Sequence, residues 1–408
     1  MHTADYIALE KRHATNTYNP LEVVIARGEG VWVWDVEGKK YLDCLSAYSA
    51  VSQGHCHPRI VNALVEQAQR VTLTSRAFYN DQFPLLLQEL CALTGYPRVI
   101  MMNSGAEAVE ASLKAARLWG YRVKGVPDEQ AEIIVCAHNF HGRTITAISL
   151  STTPLYRRHF GPLTPGFKAI PYGDAAALEA AITPHTVGFL VEPIQGEGGV
   201  VTPPEGYLRA VREICDRHNV LMIADEIQTG LGRTGQFFAC DWEGVRPDIV
   251  AIGKALSGGM LPVSAALGSD EIMGLFAPGM HGSTFGGNPM GAAVARAALK
   301  VIVEEKLPER ARELGARAIH ALRAMNSPYV AEVRGKGLLI GIVLKPEVGS
   351  ARPFCRKLQE RGLLLLETHD TVIRFAPPLV ITADVLDWAV GEIKAVLAGD
   401  TTDGGNGR

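Results

Sequence analysis

Val220-Leu221-Met222-Ile223-Ala224-Asp225-Glu226 is a run of apolar residues ending in two carboxylates, and Asp248-Ile249-Val250-Ala251-Ile252-Gly253-Lys254-Ala255 is a second run ending in a lysine. Short apolar runs without alternation read as strands buried on both faces. Similar runs occupy 132–136, 187–191 and 263–267, with helical patterns between most of them. Tyr207 to His218 sets Leu208, Val211 and Ile214 on one face and has Asn219 at its end. A helix from about Ala106 carries Val109, Leu113 and Ala116, and Gly120 is expected to end it. This alternation predicts an α/β fold with a mostly parallel central sheet covered by helices.

The flanks read differently. Val31 to Asp35 and Tyr41 to Asp43 bracket Glu37-Gly38-Lys39, the pattern of a hairpin. Strand-like stretches near 338–344 and 372–376 mix with two helix patterns. The last helix should start after Thr382, a candidate N-cap, and bury Leu386, Ala389, Ile393 and Val396. Three parts are expected: an N-terminal segment 1–55 packing with the small domain, a large domain 56–300, and a smaller α+β domain 301–408. The Gly- and Asp-rich tail from Asp400 is expected to fray.

Composition narrows the function classes. The formal net charge is -3 over 408 residues, with no block of like charge, so a basic nucleic-acid footprint is absent. The seven cysteines are scattered and never form Cys-x-x-Cys, which fits a reducing compartment. The polar start of the chain lacks a signal-peptide core, and no apolar run is long enough for a membrane helix. A cytoplasmic protein is expected. His55-Cys56-His57 has the look of a metal tripeptide, yet neighbours in an extended segment point to opposite sides and no further ligands stand at zinc-like spacing. No metal is expected.

Four pieces carry chemistry. Asp225 and Lys254 follow apolar strands, and in open α/β sheets ligands bind beyond the carboxyl ends of strands. A strand-end carboxylate alone is equally well explained as a turn cap, and a lone lysine as a surface residue. Among apolar neighbours, however, an amine is more easily deprotonated and can form Schiff bases. Asn103-Ser104-Gly105-Ala106-Glu107 turns into a helix N-terminus, a natural phosphate cradle that ordinary capping by Ser104 would also explain. Ser283-Thr284-Phe285-Gly286-Gly287 sets two hydroxyls beside a glycine pair. Together they provide what pyridoxal 5'-phosphate (PLP) needs: a lysine for its aldehyde, a carboxylate for its ring nitrogen and donors for its phosphate.

In order along the chain, Ser-Gly-Ala-Glu-Ala (104–108), Asn-Phe-His-Gly-Arg-Thr (139–144), Glu-Pro-Ile-Gln-Gly-Glu (192–197), Ala-Asp-Glu-Ile-Gln-Thr-Gly (224–230) and Gly-Lys-Ala-Leu-Ser-Gly-Gly (253–259) resemble the class III, fold type I, PLP-dependent aminotransferases. The resemblance runs from about Tyr18 to Val380. Tyr18-Asn19-Pro20-Leu21, Ser46 to Val51, Thr72 to Tyr79 and Ile373 to Leu379 resemble the branch that acts on the δ-amino group of ornithine. Two positions depart from the ornithine pattern: Gly198, often Ala there, and His141, where some members carry Trp.

The resemblance implies a fold type I enzyme with a large and a small domain. Lys254 would join the cofactor and shuttle the reacting proton, Asp225 would pair with the ring nitrogen, Phe140 would stack on the ring and Gln228 would touch its oxygen. Gly105 and Ala106 would bind phosphate through backbone N–H groups, and Thr284 would reach the phosphate of a neighbouring subunit, which requires a homodimer, open to further assembly. Tyr18 would contact the α-amino group of ornithine, Arg143 its carboxylate, and Tyr48 would shape the pocket. Glu197 would mask Arg374 in that half-reaction and swing away to free it for the α-carboxylate of 2-oxoglutarate. The expected reaction is L-ornithine plus 2-oxoglutarate giving glutamate-5-semialdehyde, which cyclises to pyrroline-5-carboxylate, plus glutamate, in arginine breakdown or proline supply. The alternatives are another ω-transaminase of the family (acetylornithine, 4-aminobutyrate or lysine as donor), a racemase or aminomutase on the same scaffold, and a non-enzymatic binding protein.

Overall fold

The structure is a computed structural model that describes residues 1–398. The tail from Asp400, expected to fray, lies outside the described residues. Fifteen strands occur among those residues. In chain order they are β1 (Ile25–Glu29), β2 (Trp32–Asp35), β3 (Lys40–Asp43), β4 (Arg98–Met102), β5 (Glu132–Cys136), β6 (Phe167–Ile170), β7 (Thr186–Val191), β8 (Leu221–Asp225), β9 (Ile249–Ile252), β10 (Ser264–Gly268), β11 (Val330–Lys336), β12 (Leu339–Leu344), β13 (Leu363–Leu364), β14 (Leu366–Thr368) and β15 (Val372–Phe375).

The central sheet has the order β4-β10-β9-β8-β7-β5-β6. Its β5, β6, β7, β8 and β9 are mutually parallel. β10 runs against both β9 and β4, so β4 shares the parallel direction. Every residue of β7, β8, β9 and β10 is buried, as strands covered by helices on both faces must be. That explains why those four were legible as plain apolar runs. The edge strand β6 buries only Ile170 fully and has no such run.

The helix Gly105–Trp119 opens with a reciprocal capping box. Ser104 Oγ accepts from the Glu107 N–H at 3.3 Å, and Glu107 Oε2 accepts from the Ser104 N–H at 2.7 Å. Gly120 is the C-cap of this α-helix, as expected, but the chain does not turn away there. It keeps right-handed angles, the chain winds on as a wider turn through Lys124, and Gly125 at φ +80° makes the stop. Gly120 is small for a packing reason, since a Cβ there would lie 2.2 Å from Val187 Cγ1 of β7. The helix Tyr207–His218 has the predicted bounds and ends at a left-handed Asn219.

In the C-terminal part, β11-β12-β15-β14 form an antiparallel sheet packed by the helices Leu307–Arg323, Arg352–Glu360 and Ala383–Leu397, one helix more than the sequence pattern indicated. The last helix follows Thr382 and buries the four expected residues, but the Thr382 side chain makes no capping bond. The N-terminal hairpin β2–β3 adds β1 on one side and, through β3, a parallel pairing with β13 on the other. His55 and His57 engage Asp43 at 2.8 Å and Glu305 at 3.0 Å. Among the described residues no helix is long and apolar enough to cross a membrane.

Candidate active site

Chain order and strand order diverge in the central sheet, because β4 lies beside β10 while β5 lies on the far side of β7. Such a sheet gathers the loops after its strands at one end. Asp225 is the last residue of β8 and pairs across to Ala251 of β9, so Lys254 follows three residues beyond that register point on the neighbouring strand. Gly105 and Ala106 follow β4, Phe140 follows β5 and Glu197 follows β7. These residues, with Gln228, line a single cavity of about 200 Å³.

Lys254 is a non-glycine residue at φ +45°, a strained conformation of the kind that concentrates at functional sites. Burial lowers the pKa of its ammonium and Arg374 adds to this, while Glu197, Asp225 and Glu192 oppose it. Asp225 is buried, and its Oδ2 lies 2.7 Å from His141 Nδ1 while Oδ1 accepts from the Ile227 N–H at 3.1 Å. Burial disfavours the His141 imidazolium, but the hydrogen bond to Asp225 and its charge outweigh this and raise its pKa. The nearby Glu192 behaves oppositely. Burial pushes its carboxyl up to about 8, helped by the charge of Asp225, although the Phe140 N–H donates to it at 3.1 Å. At neutral pH Glu192 is thus largely a neutral acid, standing beside Asp225 at the cavity floor.

His141 and Glu192 are the functional neighbours that sequence reasoning passed over. Their signal was two ionisable residues, inside quoted motifs, in segments that the fold buries.

Behind Glu197, which lines the cavity, Arg374, 1% exposed, donates from Nη1 to Glu197 Oε1 at 2.5 Å. Burial raises the Glu197 pKa, but the charge and hydrogen bond of Arg374 overcome this and hold it low. Gln228 Nε2 also donates to Glu197 Oε1, at 3.3 Å. The Arg374 guanidinium lies 4.8 Å from the centre of the Tyr48 ring. Tyr48 belongs to Ser46–Ser49, four consecutive non-glycine residues with positive φ. Asp43 Oδ1 caps the start of that turn through the Leu45 and Ser46 N–H groups, and Ser46 Oγ donates to the Ala376 carbonyl at 2.6 Å.

Arg143, Thr284 and Tyr18 do not line the cavity, although the Arg143 guanidinium lies 5.2 Å from the centre of the Phe140 ring, which does. Arg143 is exposed, stacks over Tyr156 at 3.5 Å from its ring centre and, among the described residues, forms no ion pair. Thr284 is exposed, on a loop tied down by Asn103 Nδ2 donating to Ser283 Oγ at 2.8 Å. Tyr18 is 80% exposed.

The cavity fits PLP on its own chemistry. It has an amine of lowered pKa, a buried carboxylate held by His141 and the Ile227 N–H, and first-turn N–H groups at Gly105 and Ala106 that have no intrahelical acceptor. Two buried polar atoms on its lining side chains, His141 Nε2 and Gln228 Oε1, also lack partners among the described residues. Lys254, Asp225, Phe140, Gln228, Gly105 and Ala106 would hold the group.

The family model described as "Aminotransferase class-III" matches residues 13–397. An ornithine aminotransferase of Geobacillus sp. (strain WCH70) is 58% identical over 97% of this chain and 99% of its own. The crystal structure of the ornithine aminotransferase from Toxoplasma gondii ME49 superposes with a TM-score of 0.96 at 46% identity, covering 97% of this chain and 95% of that one. An acetylornithine aminotransferase from Elizabethkingia anophelis superposes at 0.88 with 49% identity, over 97% of this chain and 99% of that one.

Proposed function

Since the chain belongs to the class III aminotransferases, we propose that it transfers the δ-amino group of L-ornithine to 2-oxoglutarate, giving glutamate-5-semialdehyde and glutamate. The semialdehyde then cyclises to pyrroline-5-carboxylate. The observation that carries this reading is that Glu197, which lines the cavity with Lys254, is paired with the buried Arg374. A buried arginine paired with one carboxylate is costly to leave alone, so displacing Glu197 creates a strong receptor for a substrate carboxylate. An arginine fork also binds carboxylates bidentately.

PLP supplies an electrophilic carbon and an electron-accepting ring when bound. Lys254 would hold it and carry the proton at the reacting carbon. Asp225, fixed by His141, would keep the ring nitrogen protonated. Phe140 would cover one face of the ring, and Gly105 and Ala106 would cradle the phosphate. With ornithine, Glu197 neutralises Arg374, Arg143 takes the α-carboxylate, Tyr18 the α-amino group, and Tyr48 shapes the wall. With 2-oxoglutarate, Glu197 moves off, Arg374 takes the α-carboxylate and Arg143 the distal one.

The chain is read as acting in the cytoplasm as a homodimer. Thr284, away from its own cavity, would reach the phosphate in the partner subunit. The exposed Phe78, Tyr79 and Phe285 support a covered face near that loop. The proposed division keeps 1–55 with the small domain 301–408, a union that the β3–β13 pairing supports, and leaves 56–300 as the large domain.

A second reading takes N-acetylornithine as donor, because the Elizabethkingia protein is 49% identical. An amine-donor screen with 2-oxoglutarate, trapping pyrroline-5-carboxylate, separates the two. Turnover of ornithine well above that of N-acetylornithine is expected, and strong preference for the acetylated donor would overturn the reading.

A further inference from the structure

From Ala14 to Val24 the chain forms neither helix nor strand, and every residue from Lys11 to Pro20 is exposed. Ordering such a segment opposes conformational entropy, so something must hold it. One side chain from the other end of the sequence does so. Arg352, at the start of its helix, donates from Nη2 to the carbonyl oxygens of Asn19 at 2.7 Å and Pro20 at 2.9 Å. Its Nη1 donates to Glu367 Oε1 at 3.0 Å. The two side chains of this pair are only 13% and 19% exposed.

Glu367 sits on β14, and the same short strand serves the rest of the substrate wall. Thr368 Oγ1 donates to the carbonyl oxygen of Glu197 at 2.8 Å, and Leu366 pairs with Arg374 on β15. Tyr18, Glu197 and Glu367 all lie within electrostatic reach of the Tyr48 hydroxyl. One three-residue strand therefore connects the Tyr18 segment, the Glu197 loop and Arg374.

We propose that Arg352, braced by Glu367, is a specificity-positioning residue: it clamps the backbone beside Tyr18 so that the amine donor is selected, without itself touching substrate. The proposal rests on the reading that Tyr18 contacts the α-amino group of ornithine. A guanidinium fork can serve two adjacent carbonyls and a carboxylate at once, whereas a lysine ammonium is a single point charge on a flexible stem.

The test measures KM and kcat for ornithine and for 2-oxoglutarate in the holoenzyme, with thermal midpoints, for Tyr18→Ile, Arg352→Ala, Arg352→Lys, Glu367→Gln and the Tyr18→Ile/Arg352→Ala pair. Arg352→Ala should raise KM for ornithine about tenfold and leave that for 2-oxoglutarate within about twofold, the size of losing the hydrogen bond that a correctly placed Tyr18 makes to one substrate only. Arg352→Lys should recover part of the loss, and Glu367→Gln should shift KM in the same direction by less. In the Tyr18→Ile background, Arg352→Ala should add little. Equal rises in both KM values, or full multiplication of the two single effects, overturns the clamp while leaving Tyr18 as a reader. An unchanged ornithine KM in Tyr18→Ile alone removes the reading beneath it, and the clamp falls with it.

Discussion

The floor and the wall of the cavity are built in opposite ways. The floor residues Asp225 and Lys254 stand at the ends of adjacent parallel strands whose residues are wholly buried, so the sheet itself fixes their separation. The proposed substrate wall would be assembled from an irregular N-terminal segment, a left-handed turn at Ser46–Ser49, a glycine-rich loop at Glu197 and a strand of the C-terminal sheet. A group that must stay put is set on strands. In the proposed function, the group that would have to accommodate two substrates of different charge is Glu197, set on a loop from which it would give up Arg374.

The sharpest way to break this contrast is Lys254→Ala. It should leave the fold intact, abolish the visible absorbance of lysine-bound cofactor and reduce kcat by about 10⁴-fold or more. Retained full turnover would end the assignment of the floor. Asp225→Ala should cost about 10²- to 10³-fold in kcat, the usual size of losing one preorganised charge, with both substrates affected alike because the floor serves both half-reactions. A loss confined to ornithine would mean that floor and wall are not separate.

Tyr18→Ile probes the wall. KM for ornithine should rise about tenfold, with a smaller change for 4-aminobutyrate, which has no α-amino group to read. Equal losses on both donors would count against Tyr18 as the reader.

The smallest effect concerns stability. Burial pushes the Glu226 carboxyl up to about 7, even though the Thr229 hydroxyl and the Cys240 N–H donate to it. The folded chain therefore keeps a proton that the unfolded chain releases above about pH 4.5, so stability falls as pH rises from there to about 7. Glu226→Gln should flatten that decline by up to about 1.4 kcal/mol per pH unit, read from urea unfolding of the holoenzyme across that range. An unchanged slope would show that Glu226 is ionised in the folded state.

How much of this was legible in the sequence depended on locality. The runs that became β7, β8, β9 and β10 could be read because a strand buried on both faces leaves no room for polar residues, and the helix Tyr207–His218 because its apolar spacing and its stop are local. β6 was silent because an edge strand is half wetted. Gly120 was read correctly as the end of its α-helix, but its packing against Val187 and the wider turn that follows were not legible, because Val187 is far away in sequence. The motifs named Asp225 and Lys254, but His141 against Asp225 and the neutral Glu192 emerge only when three separate loops are folded onto one strand end.

The amino-acid order by itself determined the strand–helix alternation, the two strand-end residues that define the floor, and the family. Each of these is written in spacing along the chain. The family resemblance anticipated that Glu197 meets Arg374; the tertiary structure alone decided that the Arg374 guanidinium lies over the Tyr48 ring and that Arg352 grips the backbone after Tyr18 from more than three hundred residues away. Hydrogen bonds and ion pairs depend on distance in space, and a linear pattern carries no record of which distant segments the sheet will bring within three ångströms of one another.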